Sequence, residues 1–98
     1  RMKILLGCAG GMSTGLLMKK MEKYWAEKGE PLEITACGVG EYKDIMKNYE
    51  MILVGPQVRF RLEEIKKTSG MPCAVIETVD YGMQNCPKIY KLAKKLQG

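Results

Sequence analysis

The stretch Cys8-Ala9-Gly10-Gly11-Met12-Ser13-Thr14-Gly15 places one thiol ahead of three glycines and two hydroxyls. Small residues in succession offer main-chain N–H groups at close range. Where such a run leads into a helix N-terminus, it forms a cradle for a phosphate-sized anion. A thiol at the mouth of that cradle is favoured as thiolate by the helix dipole and the inward-pointing amides. A thiolate beside a phosphate nest can attack phosphorus, with the oxygens of the transition state and of the thiophosphate product held on the same amides from Ala9 to Gly15. A cysteine after an apolar run is commonly a small core residue. The glycines and hydroxyls behind Cys8 set it apart from that case.

The rest of the composition narrows the chemistry. The chain has no histidine, which removes Ser-His-Asp and Cys-His catalysis and a phosphohistidine of its own. Cys8, Cys37, Cys73 and Cys86 contain no C-x-x-C pair, so neither a zinc site nor any other cofactor is expected. The last three read as reduced bystanders, Cys37 and Cys73 packed in strands. Gly10 to Gly15 has the spacing of a nucleotide-binding loop, but Leu16 stands where the lysine belongs, and G-x-G-x-x-G is absent. A cysteine phosphatase, or an arsenate-reductase-like enzyme, is the rival reading. It calls for arginine six residues after the cysteine to grip phosphoryl oxygens, and Thr14 is there instead. Asp80-Tyr81 could supply such an enzyme's general acid, and a turn or helix-cap role for Asp80 is the plainer alternative. Without the arginine the site suits relay better than hydrolysis. A third reading is a binding module for phosphate-bearing or nucleic-acid ligands.

Ninety-eight residues with a net charge of +5 make one domain, over residues 2–98, with basic residues dispersed beside glutamates as on a solvated surface. Lys19, Lys20, Arg59 and Arg61 are candidates for a rim that meets an acidic protein partner. Only Ile4 to Leu6 separate Lys3 from Gly7, too short an apolar core for an export signal, and no run approaches the roughly 20 residues that span a bilayer. Arg1, ahead of Met2, reads as an addition to the native start.

The elements that must position Cys8 follow from the change of hydrophobic period. Lys3 to Gly7 predicts a buried strand; Leu17, Met21, Tyr24 and Lys28 recur at helical spacing from Ser13 or Thr14 until Gly29 and Pro31. Leu32 to Val39 is strand-like, Tyr42 to Asn48 a short helix, Met51 to Val54 a strand, Gln57 to Thr68 a helix opened by Pro56, Pro72 to Ile76 a strand and Asn85 to Leu96 a helix. Strands alternating with helices over connections too long for hairpins imply right-handed crossovers. The expected fold is a three-layer α/β domain with a four-stranded parallel, flavodoxin-like sheet. Its functional crevice lies outside the carboxyl ends of the strands, where Cys8, Gly38-Val39-Gly40, Gly55-Pro56-Gln57 and Thr78-Val79-Asp80-Tyr81 would gather.

Cys8 to Leu17, CAGGMSTGLL, resembles the phosphorylation loop of the IIB component of bacterial sugar phosphotransferase systems, in the lactose/cellobiose (lichenan) family. Leu53-Val54-Gly55-Pro56-Gln57 and Asp80-Tyr81-Gly82-Met83 look like that family's second and third patches, in order. The resemblance implies that Cys8 accepts a phosphoryl group from phosphohistidine on a IIA protein. It further implies transfer to a sugar, a β-linked disaccharide or oligosaccharide, bound by the membrane transporter IIC. The chain would be cytoplasmic, would not itself span the membrane and would bind no nucleic acid. Gln57, Asp80 and Tyr81 would be auxiliary to the site, with Gln57 donating to a phosphoryl oxygen or capping the helix it begins.

Overall fold

The computed structural model describes residues 2–9 and 13–98, with Ser13 described by its backbone alone. Gly10, Gly11 and Met12 of the expected phosphate loop lie outside the described residues. Four strands, β1 (Met2–Cys8), β2 (Leu32–Gly38), β3 (Met51–Val54) and β4 (Cys73–Val75), form one parallel sheet in the order β2-β1-β3-β4. The helices are α1 (Ser13–Glu27), α2 (Leu62–Ser69), α3 (Thr78–Gly82) and α4 (Cys86–Gln97). This is the expected three-layer arrangement.

The unbroken apolar run of β1 is explained by burial on both faces. Ile4 and Leu6 pack with Leu17, Met21 and Trp25 of α1 and with Ile89 and Ala93 of α4. Leu5 faces the other way, against Tyr42, Ile52, Val58 and Ile65. Ile4, Leu5 and Leu6 are fully buried, and truncating one to alanine in such a core costs about 2–5 kcal/mol. Glycine ends two helices where the chain turns left-handed: Gly29 (φ 74°) after α1 and Gly70 (φ 66°) after α2. Asn85 caps α4, its side chain accepting from the Lys88 N–H at 3.3 Å, with Pro87 in the first turn.

Four expectations differ. β1 reaches Cys8, so the cysteine belongs to the strand rather than the loop; its carbonyl accepts from the Val39 N–H at 3.1 Å, and main-chain pairing fixes its Cα. The expected helix 57–68 is two pieces. A 3₁₀ segment, Pro56–Arg61, is interrupted by Val58 at φ −122°, and α2 begins only at Leu62. Val58 is buried against the second core face, and that demand overrides the helical spacing. Residues 42–48, expected as a short helix, are two separate 3₁₀ turns, Tyr42–Asp44 and Met46–Asn48. Thr78–Gly82 carries the helix α3 where only a strand-end loop was expected.

At the amino edge of the sheet, far from Cys8, Tyr24, Trp25 and Tyr90 meet edge to face. The Tyr90 hydroxyl donates to Glu30, which also pairs with Lys94 at 3.0 Å. This cluster ties the end of α1 to α4.

Candidate functional site

Cys8 is the last residue of β1 and only 5% exposed, while Ala9 beyond it is open to solvent. Ser13 and Thr14 open α1, a helix of 15 residues, so the strand that bears the thiol runs through a four-residue connection into a helix N-terminus. Thr14 is buried, 6% exposed, and the side of the helix at Gly15 is open, since a Cβ there would meet nothing within 4 Å. The phosphatase reading wants a long arginine at position 14; the fold has a small, enclosed side chain there.

The Cys8 thiol donates to the main-chain oxygen of Cys37 at 3.4 Å. Cys37 sits on the neighbouring strand, where Gly7 pairs with Cys37 and Cys8 with Gly38. Burial, with the nearby Cys8 and Glu41, pushes the Cys37 thiol up to about 11. Burial also raises the thiols of Cys73 and Cys86. These three are held as neutral thiols at ordinary pH.

On the other side of β1, the Gly55 N–H donates to the Gly7 carbonyl at 2.8 Å. A Cβ on Gly55 would stand 3.2 Å from the Gln57 Oε1, 3.6 Å from the Gly7 oxygen and 3.6 Å from the Tyr81 ring. Glycine is required here for close approach rather than for backbone conformation, its φ being −65°. Gln57 and Tyr81 therefore meet over Gly55, one residue short of Cys8 along β1. Asp80 does not share that contact; it lines a hollow of about 200 Å³ with Glu77 and Lys88, between β4, α3 and α4.

Sequence reasoning missed the Cys37 carbonyl and Glu41. Glu41 accepts from the Gly38 N–H at 3.3 Å, and its only signal was its place just after the Gly38-Val39-Gly40 strand end. Of the candidate basic rim, Lys19 and Lys20 are exposed on α1. Arg59 donates to the Pro56 oxygen at 2.8 Å, and Arg61 forks onto Glu64 at 3.0 and 2.9 Å. Among the described residues, the exposed large apolar side chains are Leu16, Phe60, Val79 and Met83. Leu16 lies in the first turns of α1, Phe60 in the 3₁₀ segment Pro56–Arg61, Val79 in α3 and Met83 just after it.

Comparison with known proteins finds a family match and structures of the same fold. The model of the family described as PTS system, lactose/cellobiose-specific IIB subunit, matches residues 3–92. The oligo-beta-mannoside-specific EIIB component of Bacillus subtilis is 39% identical over 97 residues, covering 96% of this chain and 94% of that one. The solution structure of the cellobiose-specific phosphotransferase IIB component from Borrelia burgdorferi is 39% identical, with a TM-score of 0.80 over 97% of this chain and 90% of that one. The lactose-specific EIICB component of Staphylococcus haemolyticus is 37% identical over 80% of this chain, which spans 14% of that longer protein.

Proposed function

Because the chain belongs to the lactose/cellobiose-specific IIB family and is thereby a phosphotransferase of a sugar phosphotransferase system, we propose that Cys8 is the residue that carries the phosphoryl group. The observation that supports this reading is the position of the thiol at the carboxyl end of β1, separated by four residues from the N-terminus of α1. A helix N-terminus favours both a thiolate and the anion it would hold.

In the first step the Cys8 thiolate attacks the phosphorus of a phosphohistidine on a IIA partner. The S–P bond forms as the N–P bond breaks, and the departing imidazole keeps the electron pair and takes up a proton. The amides from Ala9 to Gly15, those of Gly10, Gly11, Met12, Ser13 and Thr14 among them, would hold the equatorial oxygens, and the Gln57 side-chain amide would donate a further N–H. In the second step a sugar hydroxyl held by IIC attacks phosphorus. The O–P bond forms, sulfur leaves as thiolate with the bonding pair, and the hydroxyl proton passes to water. No cofactor or metal enters this reading.

Several observations support the partners. A IIB-like segment forms part of an EIICB component, which favours IIC as the acceptor side. Relatives named for oligo-beta-mannoside, cellobiose and lactose favour a β-linked disaccharide or oligosaccharide as the cargo. Leu16, Phe60, Val79 and Met83, with Lys19, Lys20 and Arg59 beside them, would form the docking rim, mixed apolar and basic. No helix among the described residues is long and apolar enough to cross a membrane, in keeping with a domain that works at the cytoplasmic face beside IIC.

Incubation with a IIA component carrying labelled phosphohistidine tests the reading. The expected result is one phosphate per chain, mapped to Cys8 by mass spectrometry and absent from Cys8→Ser. An unmodified Cys8, or transfer that persists in Cys8→Ser, overturns it.

A further inference from the structure

The peptide group joining Cys37 to Gly38 is engaged at both ends. Its oxygen accepts the Cys8 thiol at 3.4 Å, and its N–H, on the outer edge of the sheet, donates to the Glu41 carboxylate at 3.3 Å. β2 is an edge strand, so this N–H has no neighbouring strand to serve, and Glu41 caps it. The Glu41 N–H donates in turn to the Gly38 oxygen at 2.9 Å, which closes a tight turn and fixes the carboxylate in place. A Cβ on Gly38 would lie 3.1 Å from Glu41 Oε1, so glycine at position 38 makes room for the carboxylate.

A negative charge on the N–H end of a peptide draws the proton toward itself and leaves the carbonyl oxygen more negative, because hydrogen bonds in a chain polarise one another. The Cys37 oxygen thus becomes a better acceptor for an S–H and a worse neighbour for a sulfur anion. Direct Coulomb repulsion acts in the same sense. Planar peptide geometry sets the offset between the two contacts and brings the carboxylate within about 9 Å of the sulfur. At that distance, close to the Debye length, one charge felt by a doubly charged phosphoryl group changes an equilibrium by about two- to fivefold.

We propose that Glu41 is a positioning residue of the phosphoryl site: acting through the Cys37–Gly38 peptide, it works against a phosphoryl group held on Cys8 and so drives that group onward rather than letting it rest there. The inference depends on the reading of Cys8 as the phosphoryl seat. Its physical basis is a carboxylate where a site meant only to hold phosphate would want a cation. Among the described residues, titratable groups at the carboxyl ends of the strands also include Cys37 on β2, a neutral thiol, Glu77 ahead of α3, and Asp80 and Tyr81 on α3, with Tyr81 against Gly55 on the β3 side.

Glu41→Gln separates charge from structure, since its amide oxygen can still accept from Gly38 while the negative charge is gone. Two measurements on the full chain test the proposal: the rate of Cys8 alkylation by iodoacetamide at fixed neutral pH, and the fraction of Cys8 phosphorylated at equilibrium with labelled phospho-IIA. Glu41→Gln is expected to alkylate faster and to hold about two- to fivefold more phosphate relative to free thiol. Raising the salt to 1 M should bring the wild-type values toward those of the variant, because screening removes the same charge. A merely structural role for Glu41 predicts the opposite sign, a weaker site in both Glu41→Gln and Glu41→Ala. Equal rates and equal occupancy in wild type and Glu41→Gln, or a loss in both, overturn the proposal. Faster alkylation of the variant with no label on Cys8 in either protein overturns the carrier reading and leaves the action of Glu41 on the thiol standing.

Discussion

Gly55 donates its N–H to the Gly7 oxygen at 2.8 Å, and through this one bond the strand that bears Cys8 is joined to the segment that bears Gln57. The contact leaves no room for a side chain on Gly55, because Gln57 and Tyr81 close over it. Two sequence patches separated by about half the chain thereby meet one residue from Cys8 along β1.

Gly55→Ala should therefore damage transfer more than stability. The added methyl presses chiefly on the Gln57 side-chain oxygen, which is exposed and can swing away. The backbone conformation suits alanine, so a change in stability below about 1 kcal/mol is expected by thermal or urea unfolding. Phosphoryl transfer to Cys8 should slow by about tenfold or more as Gln57 and Tyr81 are displaced. Equal transfer rates in variant and wild type would show that the two side chains take no part.

Cys37 should be chemically silent where Cys8 reacts. What Cys8 uses is the main-chain oxygen of Cys37, not its sulfur, so Cys37→Ala should still accept phosphate. The raised thiol also carries a stability consequence. A group whose folded value lies above its unfolded one stabilises at pH below the ordinary thiol range and loses that contribution as pH rises through about 11. Alkylation of Cys37 in the native chain should stay suppressed near neutrality and grow only toward that pH, as peptide mapping would reveal.

The Tyr90–Glu30–Lys94 cluster predicts an acid limb of stability. The Tyr90 hydroxyl, and then Lys94, hold the Glu30 carboxyl below the usual carboxylate range. Its contribution is present above the ordinary carboxylate value and lost as pH falls through the lowered one. Lys94 is raised by Glu30, and Tyr90 by the same carboxylate, so their share is lost only at strongly alkaline pH. Glu30→Gln should lower the Tm at neutral pH, and the gap to wild type should close in a calorimetric series as the pH falls below the ordinary carboxylate range.

Tyr42 is fully buried, and its hydroxyl has no partner among the described residues. A buried orphan hydroxyl costs free energy, of the order of 1–3 kcal/mol. Tyr42→Phe should leave stability unchanged or raise it by about 1 kcal/mol, against the usual loss for a core substitution. Chemical denaturation of the two proteins side by side decides it.

What the sequence determined by itself is the order of elements and the family. Ile4-Leu5-Leu6 can be satisfied only between two apolar layers, and the change from that run to the 3.6-residue spacing of Leu17, Met21 and Trp25 marks strand followed by helix. Glycine at 55 was visible as a residue and opaque as a reason. Tertiary structure alone decided that Cys8 lies within β1, that Gln57 and Tyr81 meet over Gly55 while Asp80 turns to another hollow, and that Glu41 reaches the Cys8 thiol through one peptide of β2. It also broke the helix expected from 57 to 68, because burying Val58 outweighed propensity. Each of these depends on which strands lie side by side, and strand order in a parallel sheet is set by how whole layers pack.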